Sequence, residues 1–222
     1  RVVFTSGGTE SNTLALLGLA GRPPARILVS SIEHPSVMGP ASRLAATGFD
    51  VRRIRAAADG TVDVDHLGEL LTPDTRLVSV MLANSETGVL QPIRQIAERC
   101  DAAGVLLHTD AVQVAGKLPL SFAASGAQAM TLTAHKLHGP LGVGLLLLTP
   151  EVSLQPMLHG GFQQGQLRPG TESVALAVGF CEALRIWSQE ADARTRRVRD
   201  LRDRLESEIG SRVSALAING GS

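Results

Sequence analysis

Short apolar runs alternate with longer amphipathic segments along most of this 222-residue chain. The runs are four to six residues long, and several are apolar throughout, as strands are when helices cover both faces of their sheet. A strand followed by a helix, repeated along the chain, predicts an α/β fold in which helices sandwich a mostly parallel sheet. The expected strands are residues 2–5, 27–31, 51–54, 77–82, 105–109, 129–133 and 143–148.

Apolar residues at helical spacing occupy the intervals between these runs. The longest such stretch extends from Ser173 to about Ile209, and its arginines are interleaved with acids, which favours a solvated helix face over a nucleic-acid patch. An apolar run at 213–218 then suggests a further strand, so we expect a large domain over residues 1–209 and the start of a small C-terminal domain over 210–222. The other expected helices are residues 10–19, 36–47, 64–71 and 93–103.

Composition argues against several classes of function. The 21 basic and 21 acidic residues balance, which offers no basic surface for nucleic acid or for anionic lipid. No apolar run approaches the roughly 18 residues that span a bilayer, so neither a nucleic-acid nor a membrane partner is expected. The two cysteines cannot build a disulfide framework, and a reducing cytoplasm is the expected location. Cys100 and Cys181 both lie on apolar helical stripes and are interpreted as inert core residues.

Polar residues collect where the expected strands end. In an open α/β sheet, ligands bind outside the carboxyl ends of the strands. Five polar clusters at one edge therefore predict a single site. The clusters are residues 5–11, 32–34, 83–86, Asp110 with Gln113, and 134–136.

Two of these clusters allow both a functional and a purely structural interpretation. Gly7 and Gly8 stand between a strand and a helix start, where free N–H groups suit a phosphate, although a plain N-cap turn fits equally well. Asp110 ends an apolar strand, where a carboxylate is costly without partners. It either caps a short helix at 111–115 or serves as counter-ion for a protonated heterocycle nitrogen, as in pyridoxal-phosphate sites.

Only two lysines, Lys117 and Lys136, can supply an amine nucleophile, because the other 19 basic residues are arginines. Lys117 lies in a Gly/Pro-flanked segment that predicts an exposed turn. Lys136 follows an apolar strand, and a lysine desolvated there more readily gives the neutral amine that forms a Schiff base. His135 and His138 flank it without a third ligand at metal spacing, so no metal site is expected.

Six segments of the chain, in this order and spacing, match one family of enzymes. They are Thr5-Ser6-Gly7-Gly8-Thr9-Glu10-Ser11-Asn12, Glu33-His34, Ala83-Asn84-Ser85-Glu86-Thr87-Gly88, His108-Thr109-Asp110-Ala111-Val112-Gln113, His135-Lys136-Leu137-His138-Gly139-Pro140 and Arg168-Pro169-Gly170-Thr171-Glu172. The chain thereby resembles the large domain of cysteine desulfurases and selenocysteine lyases. These are class V members of the fold type I pyridoxal-phosphate enzymes, and the resemblance covers nearly the whole chain.

The resemblance implies a role for each site residue. Lys136 would carry pyridoxal 5'-phosphate as a Schiff base, and His34 would stack on the ring and transfer protons. Asp110 would pair with the ring nitrogen, and Gln113 would hydrogen-bond the ring oxygen. The residues implied to hold the phosphate are Gly8, Thr9, Thr133 and His135, with Thr171 reaching the phosphate of a neighbouring subunit in a homodimer.

The resemblance also implies a reaction, in which L-cysteine becomes L-alanine and its sulfur passes to an enzyme cysteine and then to an acceptor protein, as in iron–sulfur cluster assembly. Neither Cys100 nor Cys181 matches the nucleophilic cysteine of the family. We expect that cysteine, and the arginine that binds the substrate carboxylate, in a C-terminal part beyond about residue 210. Ser85 replaces the family's usual asparagine, so that contact is expected to differ. Selenocysteine lyase, another class V activity and a non-catalytic binding module are the alternatives.

Overall fold

The computed structural model describes residues 1–220, which form seven strands in one mixed sheet. The strands are β1 Val2–Thr5, β2 Arg26–Ser30, β3 Asp50–Ile54, β4 Thr75–Ser79, β5 Leu106–Asp110, β6 Ala129–Thr133 and β7 Gly144–Leu148. Across the sheet they lie in the order β1-β7-β6-β5-β4-β2-β3. Only β7 is antiparallel to its neighbours, so all seven predicted strands and the mostly parallel sheet are confirmed.

Six α-helices and two short 3₁₀ turns connect and follow these strands. The five longer predicted helices are confirmed with ends within two residues of the expected ones. The helices are α1 Gly8–Leu19, α2 Pro35–Ala46, α3 Val64–Leu70, α4 Ile93–Ala102, α5 Phe122–Ser125 and α6 Val174–Gly210, and the 3₁₀ turns are Ala134–Leu137 and Gln163–Gln166.

The helices cover both faces of the sheet. Leu14 and Leu16 of α1 pack with α2 against one face, whereas α3 and α4 bury residues such as Ile96 on the other. The first half of α6 adds Phe180 and Ala183 over β6 and β7. This arrangement places the N-terminus of α1 directly after β1, at the carboxyl edge of the parallel strands.

Gly144, the first residue of β7, fixes how closely the start of α1 approaches the sheet. A Cβ atom at this position would lie 2.6 Å from the carbonyl carbon of Gly7 and 2.7 Å from its Cα. No side chain fits in that space, because real Cβ atoms do not approach backbone so closely. The absence of a side chain at residue 144 therefore sets the position of the Gly7–Gly8 loop.

The structure departs from the expectations, or from one of their alternatives, at three places. Residues 213–218 form no strand, because the backbone there leaves α6 through turn hydrogen bonds to Ile209 and pairs with no strand in the described chain. Residues 111–115 form successive turns rather than a helix, with Val114 and Ala115 both donating to the carbonyl of Ala111. The division of the chain near residue 209 stays a prediction.

Cys181 is the third. It is exposed, not buried, because the stripe on which it lies borders an open groove beside β1, with Val174 72% and Val178 61% exposed. Cys100 is buried in the core between α4 and the sheet, as predicted.

Candidate cofactor site

The carboxyl ends of the parallel strands open into one cleft of about 220 Å³. This edge is where the sequence predicts a site, and eight of the nine predicted site residues border the cleft. Thr171 does not. It is exposed and borders a separate depression beside Ser6 and Arg168. The cleft is lined by Gly8, Thr9, Asn12, His34, Ser36, Met81, Ala83, Ser85, Asp110, Val112, Gln113, Thr133, His135 and Lys136.

The start of α1 borders the cleft and has the features that suit an anion. Gly7 at the N-cap gives the helix no side-chain cap, so the N–H groups of the first turn stay available to an anion. A Cβ at Gly8 would lie 3.1 Å from Cγ2 of Val112, so glycine keeps this cradle open. Thr133 adds a hydroxyl, 3.1 Å from Nδ1 of His135. Of the two sequence interpretations, this geometry favours the phosphate site.

Asp110 lies buried at the carboxyl terminus of β5 and also borders the cleft. Its Oδ2 accepts a hydrogen bond of 2.6 Å from Nδ2 of Asn12, and its Oδ1 accepts one of 2.9 Å from the backbone N–H of Val112. Burial raises the pKa of this carboxyl. Both donors are neutral, so the Asp110 carboxylate has no positive partner in these two bonds. A cationic N–H in the cleft would supply that positive charge.

Asn12 joins Asp110 to His34, a connection that sequence reasoning missed. Its Nδ2 also donates to Oγ of Ser36 at 2.8 Å, and that oxygen lies 2.7 Å from Nδ1 of His34. The backbone N–H of Ser36 donates to the same ring nitrogen at 3.1 Å. Because Nδ1 is an acceptor in this network, the proton of a neutral His34 resides on Nε2.

Glu33 is a buried acid directly behind His34. Its Oε1 accepts from Oγ of Ser30 at 2.6 Å and from the backbone N–H of Met81 at 2.7 Å, whereas the buried Oε2 has no partner among the described residues. Burial, and then the charge of Asp110, raises the pKa of Glu33 to about 8. The neutral acid therefore ties the end of β2 to the end of β4 beneath the cleft.

His108 is a second buried group below the cleft. Its Nδ1 lies 2.9 Å from Oγ of Ser79 on β4, and its Nε2 lies 3.0 Å from Oγ1 of Thr131 on β6. Burial lowers the pKa of His108 to about 3, so the imidazole is neutral. This side chain links three neighbouring strands without adding charge.

Lys136 lies at the rim of the cleft, on the 3₁₀ turn after β6, and its residue is exposed. The expected burial of this lysine was wrong, because the turn that carries it leaves Lys136 exposed while burying Ala134 and Leu137. Lys117 lies on a turn and is exposed, as predicted. Its amine nevertheless reaches Gln113 of the cleft, at 2.7 Å from Oε1.

The residues of the cleft fit pyridoxal phosphate. The uncapped start of α1 with its open glycine cradle suits the phosphate, the buried Asp110 suits a protonated ring nitrogen, and Lys136 supplies an accessible amine to the same cleft. Within residues 1–220, no group of three or more histidine, cysteine or acidic side chains is arranged to hold a metal ion. No helix in this part of the chain combines the length and apolar character of a membrane span.

The fold and the site together define the class of protein. The family model "Aminotransferase class-V" matches residues 1–219, and the chain belongs to this family. Within it, the chain is similar to several cysteine desulfurases. The chain is 36% identical to cysteine desulfurase IscS of Dictyoglomus turgidum, over 99% of this chain and 57% of that protein. It is 43% identical to IscS 1 of Archaeoglobus fulgidus, over 94% of this chain and 55% of that protein.

Solved structures agree on the fold. A "NifS-like protein" superposes with a TM-score of 0.91 at 33% identity, over 95% of this chain and 59% of that one. DndA from Streptomyces lividans superposes with a TM-score of 0.86 at 39% identity, over 93% of this chain and 60% of that one. The resemblance seen in the sequence and the fold type I architecture are confirmed. The chain spans between half and two thirds of the length of these proteins.

Proposed function

We propose that the protein to which this chain belongs is a pyridoxal-phosphate-dependent cysteine desulfurase that acts as a cytoplasmic homodimer. The observation that carries the proposal is the cleft, in which Lys136, the buried Asp110 and the uncapped start of α1 border one space. The names of the relatives support the substrate, because IscS and NifS proteins are cysteine desulfurases.

Different side chains of this cleft would bind the cofactor and transfer protons. Pyridoxal phosphate, when bound, supplies a protonated ring that withdraws electrons from the α-carbon of an amino acid. Asp110 favours the protonated ring nitrogen electrostatically, and the amide of Gln113 is placed for the ring oxygen. Lys136 would hold the group through its side-chain amine, which the amine of the substrate would displace. His34, which lines the cleft, would lie against the ring and could deliver a proton from Nε2.

The proposed overall reaction converts L-cysteine to L-alanine. The Cβ–Sγ bond of the substrate breaks, its sulfur becomes the outer sulfur of an enzyme cysteine persulfide, and Cβ receives a proton. The persulfide sulfur then passes to an acceptor protein, as in iron–sulfur cluster assembly. Cys100 is buried and Cys181 does not border the cleft, so we assign the attacking thiolate to a part of the protein outside this chain.

Ser85 shapes the substrate side of the cleft. It is exposed on the loop after β4, which Asn84 holds by donating to the carbonyl of Ile32 at 3.2 Å and by accepting from the N–H of Glu86 at 2.9 Å. A serine here is shorter than asparagine, so we expect a water-mediated contact where an amide would bond directly.

The cofactor proposal is tested by mixing the purified protein with pyridoxal phosphate and recording the visible absorption. Lys136→Ala is expected to abolish the protein-dependent band, and Lys117→Met, the matched change at the other lysine, is expected to keep it. Borohydride reduction followed by peptide mapping should then locate the label on Lys136. A band that survives Lys136→Ala, or none in the wild type, contradicts the proposal.

The reaction and assembly need the full-length protein. Release of alanine and formation of persulfide from L-cysteine, compared with selenocysteine as substrate, separate desulfurase from selenocysteine lyase. Sedimentation analysis tests the homodimer, and Thr171→Ala is expected to weaken cofactor binding only in the dimer. A monomer with full cofactor affinity would contradict the dimeric site.

A further inference from the structure

Lys117 holds the side chain of Gln113 from outside the cleft. Its Nζ donates to the backbone carbonyl of Gln113 at 3.0 Å and to Oε1 of the same residue at 2.7 Å. A hydrogen bond from an ammonium to an amide oxygen is charge-assisted and stronger than one between neutral groups. The oxygen of the Gln113 amide is therefore the end that Lys117 fixes.

The fixed oxygen determines which end of the amide is left for the cleft. An amide has an accepting oxygen and a donating NH2 group, and an ammonium can only donate. Lys117 can therefore bond the oxygen but cannot bond the nitrogen. Since Gln113 lines the cleft, the orientation that Lys117 selects leaves the NH2 group to donate to a bound molecule.

The backbone holds Lys117 in this position from two sides. Gly116 has a φ of +79°, and a Cβ there would lie 2.2 Å from Cβ and 2.9 Å from Cα of Leu137, so the turn packs directly on the segment that carries Lys136. On the outer side, Oγ1 of Thr195 in α6 donates to the carbonyl of Lys117 at 2.9 Å. Partial burial, and then the charge of Lys136, lowers the pKa of Lys117.

We infer that Lys117 is a positioning residue that orients the Gln113 amide so that its NH2 group donates to the ring oxygen of the cofactor. The inference rests on the proposed pyridoxal-phosphate site. A donor at that oxygen stabilises its negative charge and so lowers the pH at which the bound ring and its lysine release their shared proton. Loss of Lys117 frees the amide to turn, and the donor is lost for part of the time.

The experiment is a pH titration of the visible absorption of pyridoxal phosphate bound to the protein. Lys117→Met is expected to raise the midpoint by about one pH unit, the size of one hydrogen bond to a charged group. Lys117→Arg should restore the wild-type midpoint, because a guanidinium also donates to the oxygen. Gln113→Ala should raise the midpoint as much as Lys117→Met or more.

A double-mutant cycle distinguishes an effect of Lys117 through the orientation of the Gln113 amide from a direct effect of the Lys117 charge. If Lys117 acts through Gln113, Lys117→Met added to Gln113→Ala produces a clearly smaller shift than it does alone. An equal shift in both backgrounds means that only the charge of Lys117 acts, and this overturns the inference while leaving the cofactor site intact. Absence of a Lys136-dependent band in the wild type overturns the proposed function and this inference with it. Lys117→Ala is the second neutral variant, with thermal unfolding as the check of folding.

Discussion

The buried acid Glu33 makes the stability of this domain depend on pH in an unusual direction. Its pKa rises from the ordinary 4.5 to about 8 in the folded chain, because it is buried and close to Asp110. Between these values the folded state keeps a proton that the unfolded state has lost. Stability contributed by this group is therefore present below about pH 4.5 and is lost as the pH rises through about 8.

The size of the effect follows from the shift. One pKa unit corresponds to about 1.4 kcal/mol, so the slope approaches about 1.4 kcal/mol per pH unit inside this window. Stability should fall by about 2.5 kcal/mol between about pH 5 and pH 7 from this group alone. Glu33→Gln keeps an oxygen for Ser30 and for the N–H of Met81 but carries no ionisable proton. The variant should lose this pH dependence, even if the substitution changes the free energy of unfolding by the same amount at every pH.

Urea unfolding followed by circular dichroism measures this directly at several pH values. The difference between wild type and Glu33→Gln isolates the acid, because both proteins share His108. That histidine, with its pKa lowered from 6.5 to about 3 by burial, weakens the fold as the pH falls below about 6.5. Glu69→Gln, at an exposed position of α3, is the control and should leave the slope unchanged. Equal slopes for wild type and Glu33→Gln would show that Glu33 ionises normally and would refute the reasoning.

Two further predictions concern packing and thiol access. Gly144→Ala should destabilise the fold by about 1–3 kcal/mol and weaken phosphate binding, because its Cβ would displace Gly7. Gly39→Ala in α2, with open space around it, is the control and should be neutral or stabilising. Chemical denaturation and phosphate titration measure the two effects, and an unchanged stability of Gly144→Ala would contradict the close approach of Gly144 to Gly7. Cys181 should react quickly with a thiol reagent at neutral pH, and Cys100, whose pKa burial raises to about 12, only after unfolding. Fast labelling that persists in Cys181→Ser would contradict the burial of Cys100.

Most of the fold could be predicted from the sequence because its strands are continuous apolar runs and its helices carry apolar residues at helical spacing. The run at 129–133 illustrates this, since both faces of β6 are buried. The pattern failed at Cys181, where an apolar helical stripe lies exposed in the described chain. Periodicity shows that a face is apolar, but it does not show which surface covers that face.

The edge of the sheet that carries the site was predictable for a topological reason, whereas the contacts within the site were not. Asp110 ends a strand, Lys136 and His34 each follow one, and parallel strands end at one edge. Asn12 lies 98 positions from Asp110 and Glu33 lies 48 from Met81, so both bonds depend on the packing of separate elements. No local pattern in a single sequence contains that information.

The distribution of charge in the cleft favours one orientation for its ligand. Glu33 and His108 are buried, and both are neutral near pH 7. Asp110, by contrast, borders the cleft, where it accepts a hydrogen bond from Asn12. The start of α1, which borders the same cleft, presents N–H groups and the positive end of its dipole, and Lys136 also borders this space. The proposed cofactor, which carries both a cationic ring nitrogen and a phosphate, would satisfy both groups with its nitrogen at Asp110 and its phosphate at the start of α1. Because Glu33 and His108 are neutral, neither of these two buried groups would compete with Asp110 for the cationic nitrogen.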